Sequence, residues 1–378
     1  MIPPHFIFLT YFVSMAGNTF GSHLQLTTFG ASHGAALGGI LDGFPAGISI
    51  DTAAVQRAVD RRRPGQSKIT TQRKEGDQVQ ILSGIFEGKT LGTPIAFQIG
   101  NTDAKSKDYD HLRGVYRPSH ADRTYQLKYG HRDHRGGGRA SARETVCRVV
   151  AGALAAQLMP FLEVNAYVSA VGEAEIPPDA ALNIASREDN PVRCPHAATA
   201  QRFEELIRAA RKEGDTLGGI VSCQVTGLQA GWGEPVFAKL DAELARAMLS
   251  INATKGFELG SGFAASRMRG SQHNDGIRPG QKNATNHAGG IEGGITNGED
   301  LFFRVAFKPV ATLLRDQQSV NQADEPVTVQ GKGRHDPCVV PRAVPIVEAM
   351  TYLTLADHFL RSHTDRIAQI NRSQNSTP

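Results

Sequence analysis

An α+β fold is what the 378-residue sequence predicts, on three observations. Candidate strands and helices follow one another without the regular strand–helix–strand rhythm of a parallel sheet. No G-x-G-x-x-G follows the first candidate strand, which argues against a dinucleotide-binding Rossmann domain. Hydrophobic residues make up 40% of the chain and charged residues 21%, an ordinary globular balance with enough apolar mass for one large core or two intimately packed halves.

In chain order, alternating apolar residues over 23–29, 78–86 and 93–99 predict short strands separated by Gly-rich turns. Between the first two lies DTAAVQRAVDRRR, where Asp51 suits an N-cap, Val55, Ala58 and Val59 share a face, and Pro64 with Gly65 stops the helix. Further helices are expected over 201–213, ended by Gly214, over 238–249 and over 343–361, and strands over 219–227 and 301–307. Segment 270–286, rich in Gly, Asn and charge, exceeds a normal connection and is expected to be a lid or part of a site. After His363 the chain becomes polar and rich in Gln, Asn and Ser, the composition of a disordered tail. No fixed-period repeat is visible.

A net charge of +4 is too mild to argue for nucleic acid, yet the arginines cluster at 57–63 and 131–148, which points to a small polyanionic ligand. The four cysteines, Cys147, Cys194, Cys223 and Cys338, have no C-x-x-C spacing and read as reduced core or near-core residues of a cytosolic protein. Neither they nor the histidines show metal-ligand spacing. The apolar head MIPPHFIFLTYFVS, residues 1–14, lacks a basic n-region and a small-residue cleavage site and is too short to span a bilayer. It reads as an upstream extension or a misassigned start.

The most telling stretch is HRDHRGGGRASARET, residues 131–145, which sets six basic side chains and three glycines before a helix start. Ser141 and Glu144 have capping-box spacing, and Val146, Val149, Val150, Ala153 and Leu154 repeat at helical spacing, so a helix is expected from about Ala142. Free backbone N–H groups and the positive end of the dipole there favour a phosphate or carboxylate. The competing reading is a solvated Gly/Arg loop of an RNA-binding protein. That reading wants aromatic residues interleaved for base stacking, and 131–145 contains none.

Several segments carry a further resemblance. GASHGAALGGILDGFP (30–45), GGGRASARETVCRVVAGAL (136–154) and GRHDPCVVPRAVPIVEAM (333–350) resemble signature segments of the chorismate synthase family. NTFGSHLQLTTFG, DRRRPGQSKITTQR, YRPSHADRTYQLKYG, SINATKGFELGSGF, NHAGGIEGGI and FKPVATL are similar to that family in the same order, from about Met15 to about Ser362. The resemblance implies a single domain over 15–362, with helices sandwiched between antiparallel sheets, internal pseudo-symmetry and a cytoplasmic homotetramer. It implies a flavin-dependent lyase that removes phosphate and the C6 hydrogen from 5-enolpyruvylshikimate 3-phosphate with reduced FMN as cofactor, ending the shikimate pathway. It leaves open whether NADPH reduces the flavin on this chain or an external flavin reductase supplies it. A plain flavin reductase would need a dedicated pyridine-nucleotide site, which the sequence does not display.

By the same resemblance, His33 in GASHG matches the histidine that protonates the departing phosphate, and His120 in RPSHAD the one near the flavin ring. Imidazole suits both tasks because its ordinary pKa lies near neutrality. Asp336 in RHDPC matches a carboxylate that relays a proton at flavin N5, although an acid between Arg334 and Pro337 reads equally as a local ion pair. Arg62, Arg117, Arg143 and Arg334 are the substrate-side candidates, since guanidinium forks match phosphate and carboxylate. Arg62 also falls near where the family meets a nicotinamide nucleotide, and Lys68 in the same segment joins it among the cofactor-binding candidates. The flavin candidates are Arg139, Ala140 and Ser141, Asn252 and Ala253, Gly293, the run Lys308, Pro309, Val310, Ala311 and Thr312, and Arg334. One departure is visible: family members usually have Glu before Ser-His, and this chain has Ala31.

Overall fold

The computed structural model describes residues 17–63, 65, 76–101, 106–280, 282–331 and 336–367. Two five-stranded antiparallel sheets enclose a double layer of helices. The first sheet contains β1 (Thr19–Phe20), β2 (Gln25–Gly30), β3 (Ala36–Asp42), β4 (Val79–Ile81) and β5 (Ile95–Gly100), in the order β1-β2-β3-β5-β4. The second contains β6 (Glu163–Val171), β7 (Ala174–Glu175), β8 (Gly219–Thr226), β9 (Thr254–Leu259) and β10 (Leu301–Phe307), in the order β9-β10-β8-β6-β7.

Alternation sets which face of each strand is buried. Ile95, Phe97 and Ile99 of β5 are sealed from solvent while Ala96 and Gln98 are not, and Leu301, Phe303, Val305 and Phe307 do the same for β10. The helices longer than one turn are α1 (Thr52–Arg62), α2 (Asp122–Tyr129), α3 (Thr145–Leu158), α4 (Ala197–Lys212), α5 (Leu240–Leu249) and α6 (Val340–Ser362) among the described residues. Helix α3 packs on α1 and touches β3, while α6 packs on α3, α5, β6 and β8, so the two sheets are bridged through one helical core. The sandwich implied by the resemblance is therefore the observed architecture.

Helix α6 is covered on nearly all sides, from Val340 to His358. Pro345 lies inside it and has no N–H for the carbonyl of Pro341 one turn back, and the Arg193 guanidinium donates to that oxygen instead at 2.6 Å. The α6 carboxylate Asp357 accepts from the backbone N–H groups of Ser22, His23 and Leu24 at 2.6–3.2 Å, tying the start of the first sheet to the last helix. Gly152 is where α3 and α6 come closest. A Cβ there would lie 2.5 Å from the Cα and Cβ of Ala349. Gly152→Ala is expected to destabilise the fold by about 1–3 kcal/mol through overpacking, read from urea unfolding, and an unchanged midpoint would contradict this contact.

Most expected elements are present with shifted ends. Asp51 caps α1 through Ala54 N at 3.0 Å, and the helices expected over 201–213, 238–249 and 343–361 are α4, α5 and α6. The expected strand 78–86 is two: β4, and Ile85–Phe86, which turns away at Gly84 (φ +82°) to pair with Lys89–Thr90. The helix expected from Ala142 begins at Thr145, after a 3-10 turn over Ala142–Glu144. The capping box does not form, because Ser141 accepts from Arg143 N while Glu144 is drawn to the Thr28 hydroxyl (2.9 Å) and Arg148 (2.9 Å). All four cysteines are buried free thiols, and burial pushes the thiols of Cys147 and Cys338 up to about 12 and that of Cys194 to about 11.

Candidate active site

The ends of six elements converge on a cavity of about 360 Å³. Arg62 ends α1, Ala121 precedes α2, Ala140 and Ala142 precede α3, Asn252 follows α5, Lys308 follows β10 and Ala343 opens α6. Element ends suit this task because they carry free backbone polar groups on an otherwise rigid frame. The walls from Ile251, Pro309, Val310, Val339 and Ile346 are apolar, and the ionisable side chains among the described residues are those of Arg62, His120, Lys308, Asp336 and Arg342. An apolar chamber with a few convergent polar groups is the usual form of a small-molecule site.

Arg62 is 2% exposed, donating to Ala142 O at 2.6 Å and Thr145 Oγ1 at 3.2 Å, with Asp77 3.4 Å away. Burial, and then the neighbouring Arg342, push its pKa down to about 9. Asp336 forms a close ion pair with Arg342, so the ion-pair reading of that carboxylate describes its contact here. Among the described residues Lys308 donates its Nζ only to Ser119 O, at 3.3 Å, and burial together with Lys255 lowers its pKa. The Asn252 amide donates to Ala140 O at 2.9 Å, leaving its buried Oδ1 without a hydrogen-bond partner among the described residues. A buried acceptor of this kind is costly unless a ligand completes it.

Of the residues expected at a site, the cavity wall brings together Arg62, His120, Ala140, Asn252, Ala253 and Asp336 with the run from Lys308 to Ala311. Others stand behind it. The Arg139 guanidinium turns to β2, bonding the Thr28 hydroxyl at 2.7 Å and Asn18 at 2.9 Å. Arg143 pairs closely with Asp77 and Arg117 forks onto Asp122 at 2.8 and 2.9 Å, both buried and neither lining the cavity. Ser141 accepts from Arg143 N, Thr312 is buried beside the wall, and Gly293 sits in the tight turn joining Ile291–Glu292 to Ile295–Thr296. Lys68 and Arg334 lie outside the described residues, as does the head 1–14. Segment 270–286, expected as a lid or part of a site, is held by its own Asp275 and by Glu299 and Asp300, which accept from Asn283 N and Lys282 Nζ at 2.6 and 2.7 Å. Asp275 accepts from Thr285 Oγ1 and from the N–H groups of His287 and Ala288 at 2.6–2.9 Å, and none of its described residues lines the cavity.

His33 stands apart from the cavity wall, with Nδ1 3.1 Å from Ser32 Oγ and its ring edge-on to Tyr109 at 4.9 Å. Gly136 makes room for it: a Cβ there would come within 2.4 Å of the ring. The ring thus has a polar neighbour without a glutamate at 31. Ala31→Glu is expected to change turnover by less than about tenfold, roughly 1.4 kcal/mol, and a larger gain under reduced-flavin conditions would refute this.

Three residues of consequence escaped the sequence reading: Arg342, Asp77 and Asp122. Two sit inside the recognised segments, Asp122 two places after His120 and Arg342 after HDPCVVP, but nothing in the local pattern says which partner each finds. The arginines of 131–145 prove largely committed to internal carboxylates and carbonyls. That weighs against a free basic strip for a long polyanion.

Fold and cavity together define an α+β protein with a chamber of small-molecule size. The Chorismate synthase family model matches residues 24–360, and the chain belongs to that family. The chorismate synthase of Christiangramia forsetii is 58% identical over 354 residues, covering 93% of this chain and all of the relative. That of Flavobacterium psychrophilum is 57% identical, covering 92% and 98%. A crystal structure of chorismate synthase superposes with a TM-score of 0.72 at 30% identity, over 93% of this chain and 96% of that one. The chain is accordingly a lyase of the shikimate pathway, which leads to aromatic compounds.

Proposed function

We propose that the cavity takes reduced FMN beside 5-enolpyruvylshikimate 3-phosphate and that the chain eliminates the 3-phosphate and the C6 hydrogen to give chorismate and inorganic phosphate. The observation that carries this reading is the meeting, in one apolar chamber, of a lysine and an asparagine that, among the described residues, have respectively no carboxylate partner and no donor to a buried oxygen. These fit a planar amphipathic group with one phosphate: Asn252 Oδ1 accepts from a ring N–H, Lys308 pairs with the phosphate, and Ile251, Pro309 and Val310 cover the ring faces. Reduced flavin, when bound, supplies electron density to the allylic system, which matters because no carbonyl acidifies the C6 hydrogen.

The protein's share is charge and proton placement. Arg62, held rigid by Ala142 O, faces the substrate's anionic groups. His120 carries a proton at the cavity wall, and His33, set behind the glycine turn at Gly136, protonates the departing phosphate. Asp336, paired with Arg342, would hold and return a proton beside the flavin ring. Arg117 and Arg143 act from behind the wall as fixed positive charge, and a substrate role for Arg334 and a cofactor role for Lys68 remain part of the proposal. The protein works in the cytoplasm as a homotetramer, either reducing its own flavin with NADPH or receiving it reduced from an external reductase. Phe29 and Ile40, exposed on the outer face of the first sheet, offer apolar surface to a second copy.

An anaerobic assay with chemically reduced FMN and the phosphorylated enolpyruvyl substrate tests the reading. Equal release of chorismate and phosphate is expected, and neither product from folded protein would refute it. Lys308→Ala is expected to weaken reduced-FMN binding by at least tenfold, about 1.4 kcal/mol, in a fluorescence titration. Unchanged affinity would move the phosphate elsewhere.

A further inference from the structure

We propose that Asp122 is a positioning residue for His120: its carboxylate, 3.0 Å from Nδ1, holds the imidazole in the Nδ1–H form and leaves Nε2 as the atom presented to the cavity. The inference deepens the proposed function, resting on it for the effect on turnover but not for the state of the ring.

The carboxylate is immobilised before the histidine is considered. Arg117 donates to it three times, from its backbone N at 3.1 Å, from Nε at 2.8 Å and from Nη2 at 2.9 Å, and Arg132 Nη1 lies 2.9 Å away. Burial alone would raise the Asp122 carboxyl, but these donors and His120 hold it well below the usual carboxylate range. It is therefore a fixed, ionised anion that is 3% exposed. Nδ1 of His120 is buried and faces that anion, close in distance though not aligned as a straight hydrogen bond. A bare Nδ1 would set its lone pair against a carboxylate oxygen, which is repulsive, so the proton belongs on Nδ1. The lone pair or the second proton then belongs to Nε2, on the opposite side of the ring.

The backbone supports the same orientation. Ser119, just before His120, has φ +55°, a conformation costly for a residue with a side chain, and its carbonyl accepts from Lys308 across the cavity. His120 N donates to Arg117 O at 3.2 Å, closing the turn RPSH. A chain also continues toward His33, since Arg117 donates to Gly136 O at 3.2 Å and Gly136 abuts the His33 ring. A buried arginine–aspartate pair contributes little net stability over an apolar replacement, so fixing a histidine gives this pair a function that packing does not.

The decisive measurement is the tautomer of His120 in the full chain labelled with 15N-histidine, read at an alkaline pH where the ring is neutral, the signal being assigned by its loss in His120→Gln. A protonated Nδ1 and a bare Nε2 are expected; the reverse overturns the proposal, whether or not any variant folds. Asp122→Asn is expected to switch the ring toward Nε2–H, because the arginine donors compete for the single amide oxygen and leave an amide N–H facing Nδ1. Turnover should then fall about 10²–10⁴-fold, more than KM changes, as when a buried carboxylate that orients a catalytic histidine is replaced. A folded Asp122→Asn protein with the native tautomer and native kcat also overturns the proposal. His120→Gln with native turnover, beside a confirmed Nδ1–H tautomer, would instead remove His120 from the chemistry and leave the positioning contact standing.

Discussion

Replacing His120 by alanine is expected to lower turnover about 10²–10⁴-fold with the fold retained, the range for loss of a positioned proton carrier. The ring lines the cavity and, among the described residues, meets a charged partner only on its Nδ1 side, so truncation empties one wall without unpairing Asp122, which keeps Arg117 and Arg132. The anaerobic assay reads the activity and thermal unfolding reads the fold. A folded variant with near-native turnover would take His120 out of the mechanism.

The largest effect on stability is expected at Asp77. Its carboxylate is fully buried between the guanidiniums of Arg62 and Arg143, the former 3.4 Å away and the latter in closer contact. Both arginines are held by other acceptors, Arg62 by Ala142 O and Arg143 by Asn101 Oδ1 at 3.1 Å, so neither swings out to solvent when the anion is lost. Asp77→Asn therefore leaves two like charges facing each other in the interior and is expected to cost about 3–5 kcal/mol. Urea unfolding checks this, and a loss below about 1 kcal/mol would mean that water reaches the pair. Because Arg62 faces the cavity, the same variant should also weaken substrate binding at temperatures where it remains folded.

Elements whose two faces differ in environment were legible from the sequence. The strands β5 and β10 alternate because one face meets the helical layer, and α1 announces itself through Asp51 and its apolar stripe. Strand β6 was not expected, since from Tyr167 to Val171 both of its faces are covered and the run loses its alternation. Helix α2 was missed for the opposite reason: DRTYQLKY leaves most of its surface in solvent, with Leu127 and Tyr129 exposed, so it has no stripe to recognise.

The sequence by itself determined the α+β class, the reduced buried cysteines and the chorismate synthase family, because long, chemically unusual segments such as GASHG, GGGRASARET and RHDPC recur in one order. Only the tertiary structure decided which basic residues line the cavity. Arg62, Lys308 and Arg342 line the cavity, while Arg117, Arg139 and Arg143, alike in the sequence, are taken by Asp122, Thr28 and Asp77. An arginine's role depends on the nearest acceptor in space, and the acceptors for Arg139 and Arg143 come from β2 and from the turn before β4, far away along the chain. Local spacing carries no information about a partner that only the packed sheets and helices bring within hydrogen-bond reach.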